Sequence, residues 1–235
     1  MLAPTDAIFS GQVAYRGLIP MHNLGEDMAT RALDTTNYSG PKRHVLTYPI
    51  GVNFRTLNIV AFMPEPRHKD ESWTSQGSLD DLAKEVEGWD HHVQRIVQAW
   101  KKLGDTTMKQ ALYEHEPIDK WTDGHLVLLG DAAHAMLPHQ GQGTGQAIED
   151  GITLALCLQG VNGENDEKRL ECYFHLRKDR TDRVVNTSRD AGRLASSSNP
   201  EKRGPIDTDA MKKRWQWMWR HDTIAAFEAE KEKYF

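Results

Sequence analysis

The sequence predicts a mixed α+β and α/β fold: an antiparallel sheet first, then a strand, a glycine-rich loop and a helix, then further helices. Three observations predict it. Three strand-like segments crowd into residues 12–62. A short apolar run, Leu126–Leu129, ends in Gly130-Asp131 and leads to Gly141, Gly143 and Gly145. Beyond that loop, apolar residues recur at helical spacing.

Residues 12–19 read as a strand closed by Pro20, and residues 22–41 as a polar stretch without a period. His44–Ile50 and Thr56–Phe62 read as paired strands joined by the turn Gly51–Arg55. Residues 64–78 have the Pro, Ser and charge content of a loop. Ser78 starts a helix, with Asp81 in the capping-box position and Leu79, Leu82 and Val86 on one face. Asp90 caps the next helix, where Val93, Ile96, Val97 and Trp100 recur at helical spacing. Pro117–Gly124 is a connector.

Leu126–Leu129 is too short for a helix and uniformly apolar, so it is expected as a buried strand. Gln146–Gln159 is expected as a helix with Ile148, Ile152, Ala155 and Leu158 as its buried stripe, ended by Gly160. Residues 160–168 read as a polar loop. A charged helix follows from Leu170, and its run Arg177–Arg183 reads as a solvated face. Ser196–Pro200 is expected to be a flexible link. Asp209–Phe235 reads as helical, with Trp215, Trp217 and Trp219 alternating, so not all three can face one side.

Composition excludes several classes. A net charge of −5 argues against a general nucleic-acid binder. No apolar run approaches a membrane span, and Met1–Asp6 lacks the regions of a signal peptide. Two cysteines, Cys157 and Cys172, indicate no disulfide framework, and a cytoplasmic setting is expected. His134 and His139 have no third ligand at a suitable spacing, so no metal is expected.

The run from His125 to Asp150 carries the chemistry. A strand ending in Gly-Asp presents a carboxylate at the edge where open α/β sheets bind ligands. An aspartate in that place, here Asp131, can accept hydrogen bonds from sugar or ribityl hydroxyls. Glycines at 141, 143 and 145 let backbone approach a flat or phosphorylated ligand, since no Cβ intervenes. The helix that follows offers free N–H groups and a partial positive charge. Gly-x-Gly-x-Gly is not the dinucleotide fingerprint Gly-x-Gly-x-x-Gly. The combination Gly130-Asp-Ala-Ala-His134, then Gly141-x-Gly143, then Ala147-Ile-Glu-Asp150 is much more specific.

That combination resembles the second flavin-binding motif of the FAD-dependent aromatic monooxygenases, the group that includes salicylate hydroxylase. Tyr15–Pro20 and Gly40–Ile50 are similar to strands of that family's substrate domain, and Trp121 to its approach to the motif. The helix from Tyr173 to Arg189 and the tryptophan cluster are similar to its C-terminal part. The resemblance implies a substrate-binding sheet domain over 1–115, an FAD-binding segment over 116–160 and a C-terminal helical region over 161–235. It implies FAD as cofactor, with Asp131 on the ribityl chain, Thr144 offering its N–H, and Pro138, Gly141 and Gly143 along the isoalloxazine edge. It implies catalytic positions at Arg16 and Tyr48, a small aromatic substrate, and NADH or NADPH as reductant. For a whole enzyme it further implies that oxygen would add at flavin C4a and that the hydroperoxide would deliver one oxygen atom to an electron-rich ring or alkene. The family's opening Gly-x-Gly-x-x-Gly unit and its middle Asp-Gly pair have no counterpart here. The chain is therefore expected to be the C-terminal part of a longer enzyme, and Leu126–Leu129 to lack sheet neighbours. The alternative is a truncated remnant that cannot hold FAD unaided.

Overall fold

A computed structural model describes residues 6–66, 74–161, 166–196 and 208–234. They divide into two compact units. The sheet unit comprises 9–66, 74–112 and 193–196; the motif unit comprises 6–8, 113–161, 166–192 and 208–234. The fold is α+β, with an antiparallel sheet and C-terminal helices, as the sequence predicts.

The sheet unit is built on β1 (Ile8–Pro20), β2 (Thr36–Gly40), β3 (Arg43–Ile50), β4 (Thr56–Pro64), β5 (Thr74–Ser78) and β6 (Thr106–Glu114). Their order is β2-β3-β4-β1-β6-β5. The expected pairing of β3 with β4 is present and antiparallel, with Thr47 opposite Ile59. β1 lies on the other side of β4, with Gly17 opposite Ile59.

Successive side chains alternate between faces, so this register assigns each residue a side. Tyr15, Gly17, Ile19, Val45, Thr47, Ile59 and Ala61 share one face, and all but Gly17 are buried. Helix α3 (His91–Lys101) covers that face: a Cβ on Gly17 would lie 2.1 Å from the Trp100 ring. At that distance only glycine lets the indole come this close to the strand. Val93, Ile96, Val97 and Trp100 are buried as their spacing predicts. The shorter α2 (Leu79–Glu85) packs beside α3, and Leu79, Leu82 and Val86 are buried. Both caps form: Ser78 Oγ accepts from the Asp81 N–H at 3.1 Å, and Asp90 Oδ1 from the His92 N–H at 2.8 Å.

Two stretches differ from the sequence reading. Residues 22–41, which lack a period, contain α1 (Glu26–Arg31) and β2. Residues 64–78, expected as a loop, include β5, which pairs with β6. β5 is Thr-Ser-Gln-Gly-Ser, a sequence of low strand propensity; its ladder to Thr106–Gln110 makes it a strand.

The motif unit holds β7 (Thr122–Asp123), β8 (Leu126–Val127), α4 (Asp131–His134), α5 (Gly143–Cys157), α6 (Asp166–Ala195), α7 (Thr208–Trp219) and α8 (Thr223–Glu230). Its apolar cluster joins Ile118, Trp121, Ala133, Cys157, Cys172, Tyr173 and Phe227. Both cysteines are free buried thiols. No helix among the described residues is long and apolar enough to cross a membrane.

Three expectations are corrected here. Leu126–Leu129 is not a buried strand: only two of its residues are extended, paired with β7, and Leu126 and Leu129 are 57% and 42% exposed. The cause is the lack of a second strand partner among the described residues. The stripe Ile148, Ile152, Ala155 and Leu158 of α5 faces outward; Ile148 is 59% exposed. The buried face is Gln146, Asp150, Thr153 and Cys157, because polar partners on α6 lie against it. The run Arg177–Arg183 is not a solvated face, since Arg177 is fully buried and Arg180 nearly so. The proposed link Ser196–Pro200 lies, beyond Ser196, outside the described residues, as do residues 162–165 of the polar loop 160–168, whose last three residues already belong to α6.

Candidate flavin site

Gly130 sits at φ 59°, ψ −142°, a conformation open to glycine and costly for other residues. It turns the chain from β8 into α4 and places Asp131 in the first helical position with its side chain exposed. The turn is held at both ends by one carboxylate. Asp150 Oδ2 accepts from the Gly130 N–H at 2.8 Å and faces His134 Nε2 at 2.6 Å. His115 fixes the far side: its Nε2 accepts from the Ala135 N–H at 3.0 Å, while its Nδ1 lies 2.8 Å from the Glu116 carbonyl.

Pro138–Gln140 then form one tight 3-10 turn, which Gly141 ends in the left-handed conformation, φ 62°. Gly143 opens α5, and no side chain caps that start. Around Gly141 and Gly143 a Cβ would meet nothing within 4 Å, and Thr144 is exposed. The loop thus presents bare backbone and uncapped amides.

Helix α6 supports this motif along its length. Tyr173 donates its hydroxyl to the Leu128 carbonyl at 3.1 Å. Arg177 donates from Nε to Asp150 at 2.7 Å, from Nη1 to Glu149 at 2.6 Å and from Nη2 to the Gln146 side-chain oxygen at 2.8 Å. Arg180 grips Glu149 through two bonds, at 2.6 and 2.7 Å. Ser188 donates to the Leu137 carbonyl at 2.6 Å, and Thr187 to Gln140 at 3.1 Å. At Gly192 a Cβ would lie 2.3 Å from the His139 ring, so α6 reaches that ring only as glycine.

Burial alone would raise both carboxylates. The hydrogen bonds from His134 and Gly130, with the Arg177 charge, hold Asp150 below its ordinary value; Arg180 and Arg177 do the same for Glu149. Burial pulls His139 down to about 4, so its ring is neutral at physiological pH.

In the sheet unit, Arg16 and Tyr48 lie on the face opposite Trp100. Arg16 pairs with Val60 and Tyr48 with Asn58, so the two flank β4 one step apart on the same side. Arg16 donates from Nε to Gln110 at 2.9 Å, and among the described residues no carboxylate pairs with it. Burial lowers its pKa, and the nearby Tyr48 works in the opposite direction. Asn58, between them, has a buried side-chain nitrogen with no protein partner among the described residues. The register brings Arg16 and Tyr48 together; Asp131, Pro138, Gly141, Gly143 and Thr144 fall in one continuous stretch of the motif unit.

Asp150, Arg177 and Asn58 are absent from the sequence-derived site. Asp150 stands inside the quoted motif, so its signal was present. Arg177 and Asn58 carry none, because their partners are 27 residues away in one case and across a strand register in the other.

With this geometry in place, the chain was compared with known proteins. Residues 26–188 match the family described as FAD binding domain. A salicylate hydroxylase of Pseudomonas putida is 32% identical over 94% of this chain and 54% of its own length. A 6-methylsalicylate 1-monooxygenase of Aspergillus terreus is 33% identical over 96% of this chain and 49% of its own. Among solved structures, a salicylate hydroxylase substrate complex superposes with TM-score 0.80 at 30% identity, covering 95% of this chain and 57% of that one. The chain spans about half the length of the relatives it matches.

Proposed function

We propose, for a chain that belongs to the FAD binding domain family, that it supplies the flavin-ring and substrate-binding parts of an aromatic monooxygenase. The observation that carries this reading is the exposed Asp131 carboxylate set on the same helix pair as an uncapped, Cβ-free helix start. The donors and acceptors present fit a flavin: a carboxylate for hydroxyls, and amides for carbonyl oxygens and developing negative charge. On this reading the division is functional: 1–115 faces substrate, 116–160 holds FAD, and 161–235 braces the motif.

When bound and reduced by NADH or NADPH, the flavin supplies oxygen activation and transfer to an electron-rich ring. The chain's residues do the rest. Asp131 accepts hydrogen bonds from ribityl hydroxyls. The Gly143 and Thr144 amides donate toward the ring's carbonyl edge, and the start of α5 stabilises negative charge there. Pro138 and Gly141 keep that edge free of side chains. Arg16, a half-buried cation with no carboxylate partner among the described residues, holds the anionic group of an aromatic acid or phenolate. Asn58 adds a donor beside it. Tyr48 orients the ring and relays the phenolic proton.

Titrating the purified chain with FAD, followed by quenching of flavin fluorescence, tests the reading. Wild type is expected to bind and Asp131→Ala to bind about tenfold more weakly, as for one lost charged hydrogen bond. Equal affinity for both removes Asp131 from the site. Absence of binding by wild type favours the remnant reading.

A further inference from the structure

We propose that Asp150 is the positioning residue of the Gly130–His134 turn and that Arg177 sets it, so that a side chain of α6 fixes where the Asp131 carboxylate points. The inference rests on the flavin reading above, in which Asp131 meets the ligand and Asp150 does not.

The geometry is a buried relay. Asp150, Arg177 and His134 are 0%, 1% and 3% exposed. Asp150 Oδ2 spans the two ends of the turn, and Oδ1 takes Arg177 Nε at 2.7 Å. Three donors converge on one side chain, which only a carboxylate can satisfy; an amide there must aim its NH₂ at another donor. Charges balance locally, with Glu149 and Asp150 against Arg177 and Arg180. His134 Nδ1 is buried without a partner among the described residues, a tolerable state for a lone pair and a costly one for an N–H. The proton therefore sits on Nε2 and points at Asp150. Gly130 is held in its unusual conformation by the bond from its N–H, and Asp131 follows it directly.

A purely structural network and a positioning one separate experimentally. The variants are Asp150→Asn, His134→Gln (which keeps a side-chain N–H donor) and His134→Leu (which removes it). Each is checked for folding by far-UV circular dichroism, then read by FAD affinity and by amide hydrogen exchange across residues 130–135. Asp150→Asn and His134→Leu are expected to weaken FAD about tenfold or more in folded protein and to speed exchange at Gly130 by a similar factor. His134→Gln is expected to stay within about threefold of wild type, since its donor is retained. If Asp150→Asn does not fold, the two His134 variants decide. Lower melting temperatures with unchanged affinity and exchange would overturn the proposal, as would His134→Gln behaving like His134→Leu. If wild type fails to bind FAD, the flavin reading falls; exchange at Gly130 in the ligand-free variants then judges the positioning claim alone.

Discussion

The two units of this chain are held by different forces, and the contrast shows where each is fragile. The sheet unit buries an apolar face, including Val45, Leu57, Ile59 and Ala61, against a helix whose Trp100 lies on Gly17. Its stability comes mainly from apolar burial, which tolerates graded change. The motif unit has an apolar cluster too, but adds buried ions: Asp150 and Arg177, with Glu149 and Arg180 beside them. A buried ion pair contributes little net stability over an apolar pair, yet removing one partner is severe. Apolar packing thus makes a platform, while the ionic network sets one conformation of one turn.

The largest break in this comparison is Arg177→Met. It leaves the buried Asp150 carboxylate without its cation and is expected to cost about 3–5 kcal/mol in chemical denaturation of the chain. Next comes Leu57→Ala in the sheet, fully buried and expected to cost about 2–5 kcal/mol, within the range for a core truncation. A loss for Arg177→Met no larger than that of a surface mutation would remove the contrast.

Acid sharpens it. His139 has a folded pKa of about 4, below its unfolded value, so the unfolded chain takes up the proton first. The His139 contribution is therefore unchanged above about pH 6.5, falls between there and about 4, and levels below, a loss of up to about 3 kcal/mol. Asp150 and Glu149 have depressed pKa values; their contribution is present above the unfolded carboxylate range and is lost as pH falls through their folded values. His139→Gln is expected to flatten the curve between pH 4 and 6.5 and leave the lower carboxylate limb. Melting curves across that range check this, and an unchanged slope rejects the role given to His139.

The smallest effect is the most pointed. Ile148→Ser, at a position that periodicity marks as core, is expected to change stability by less than about 0.5 kcal/mol, because that side chain is 59% exposed. A loss of core size would show that the outward face of α5 is covered in solution.

Much of the fold was legible in the sequence. The strand pair His44–Ile50 and Thr56–Phe62, the caps at Ser78 and Asp90, and the helix from Val93 to Trp100 rest on local chemistry: turn residues, capping oxygens and apolar period. β2 and β5 were not legible, since strands of Thr, Ser, Asn and Gly are made by neighbours rather than by propensity. The motif from Gly130 to Asp150 was legible as a unit because its glycines and its carboxylate each have a backbone or ligand reason to be there.

By itself, then, the sequence determined the family, the Gly-Asp and glycine-loop pattern and the strands that carry Arg16 and Tyr48, because these depend on residue type at short spacing. The tertiary structure alone decided that Ile148 points outward and Arg177 inward. Which face of a helix is buried depends on what lies against it, and the partner of Asp150 stands 27 residues further along the chain. The same holds for Arg16: its residue type promises a cation, but only the strand register shows which side of the sheet it occupies and that Asn58 and Tyr48 share it.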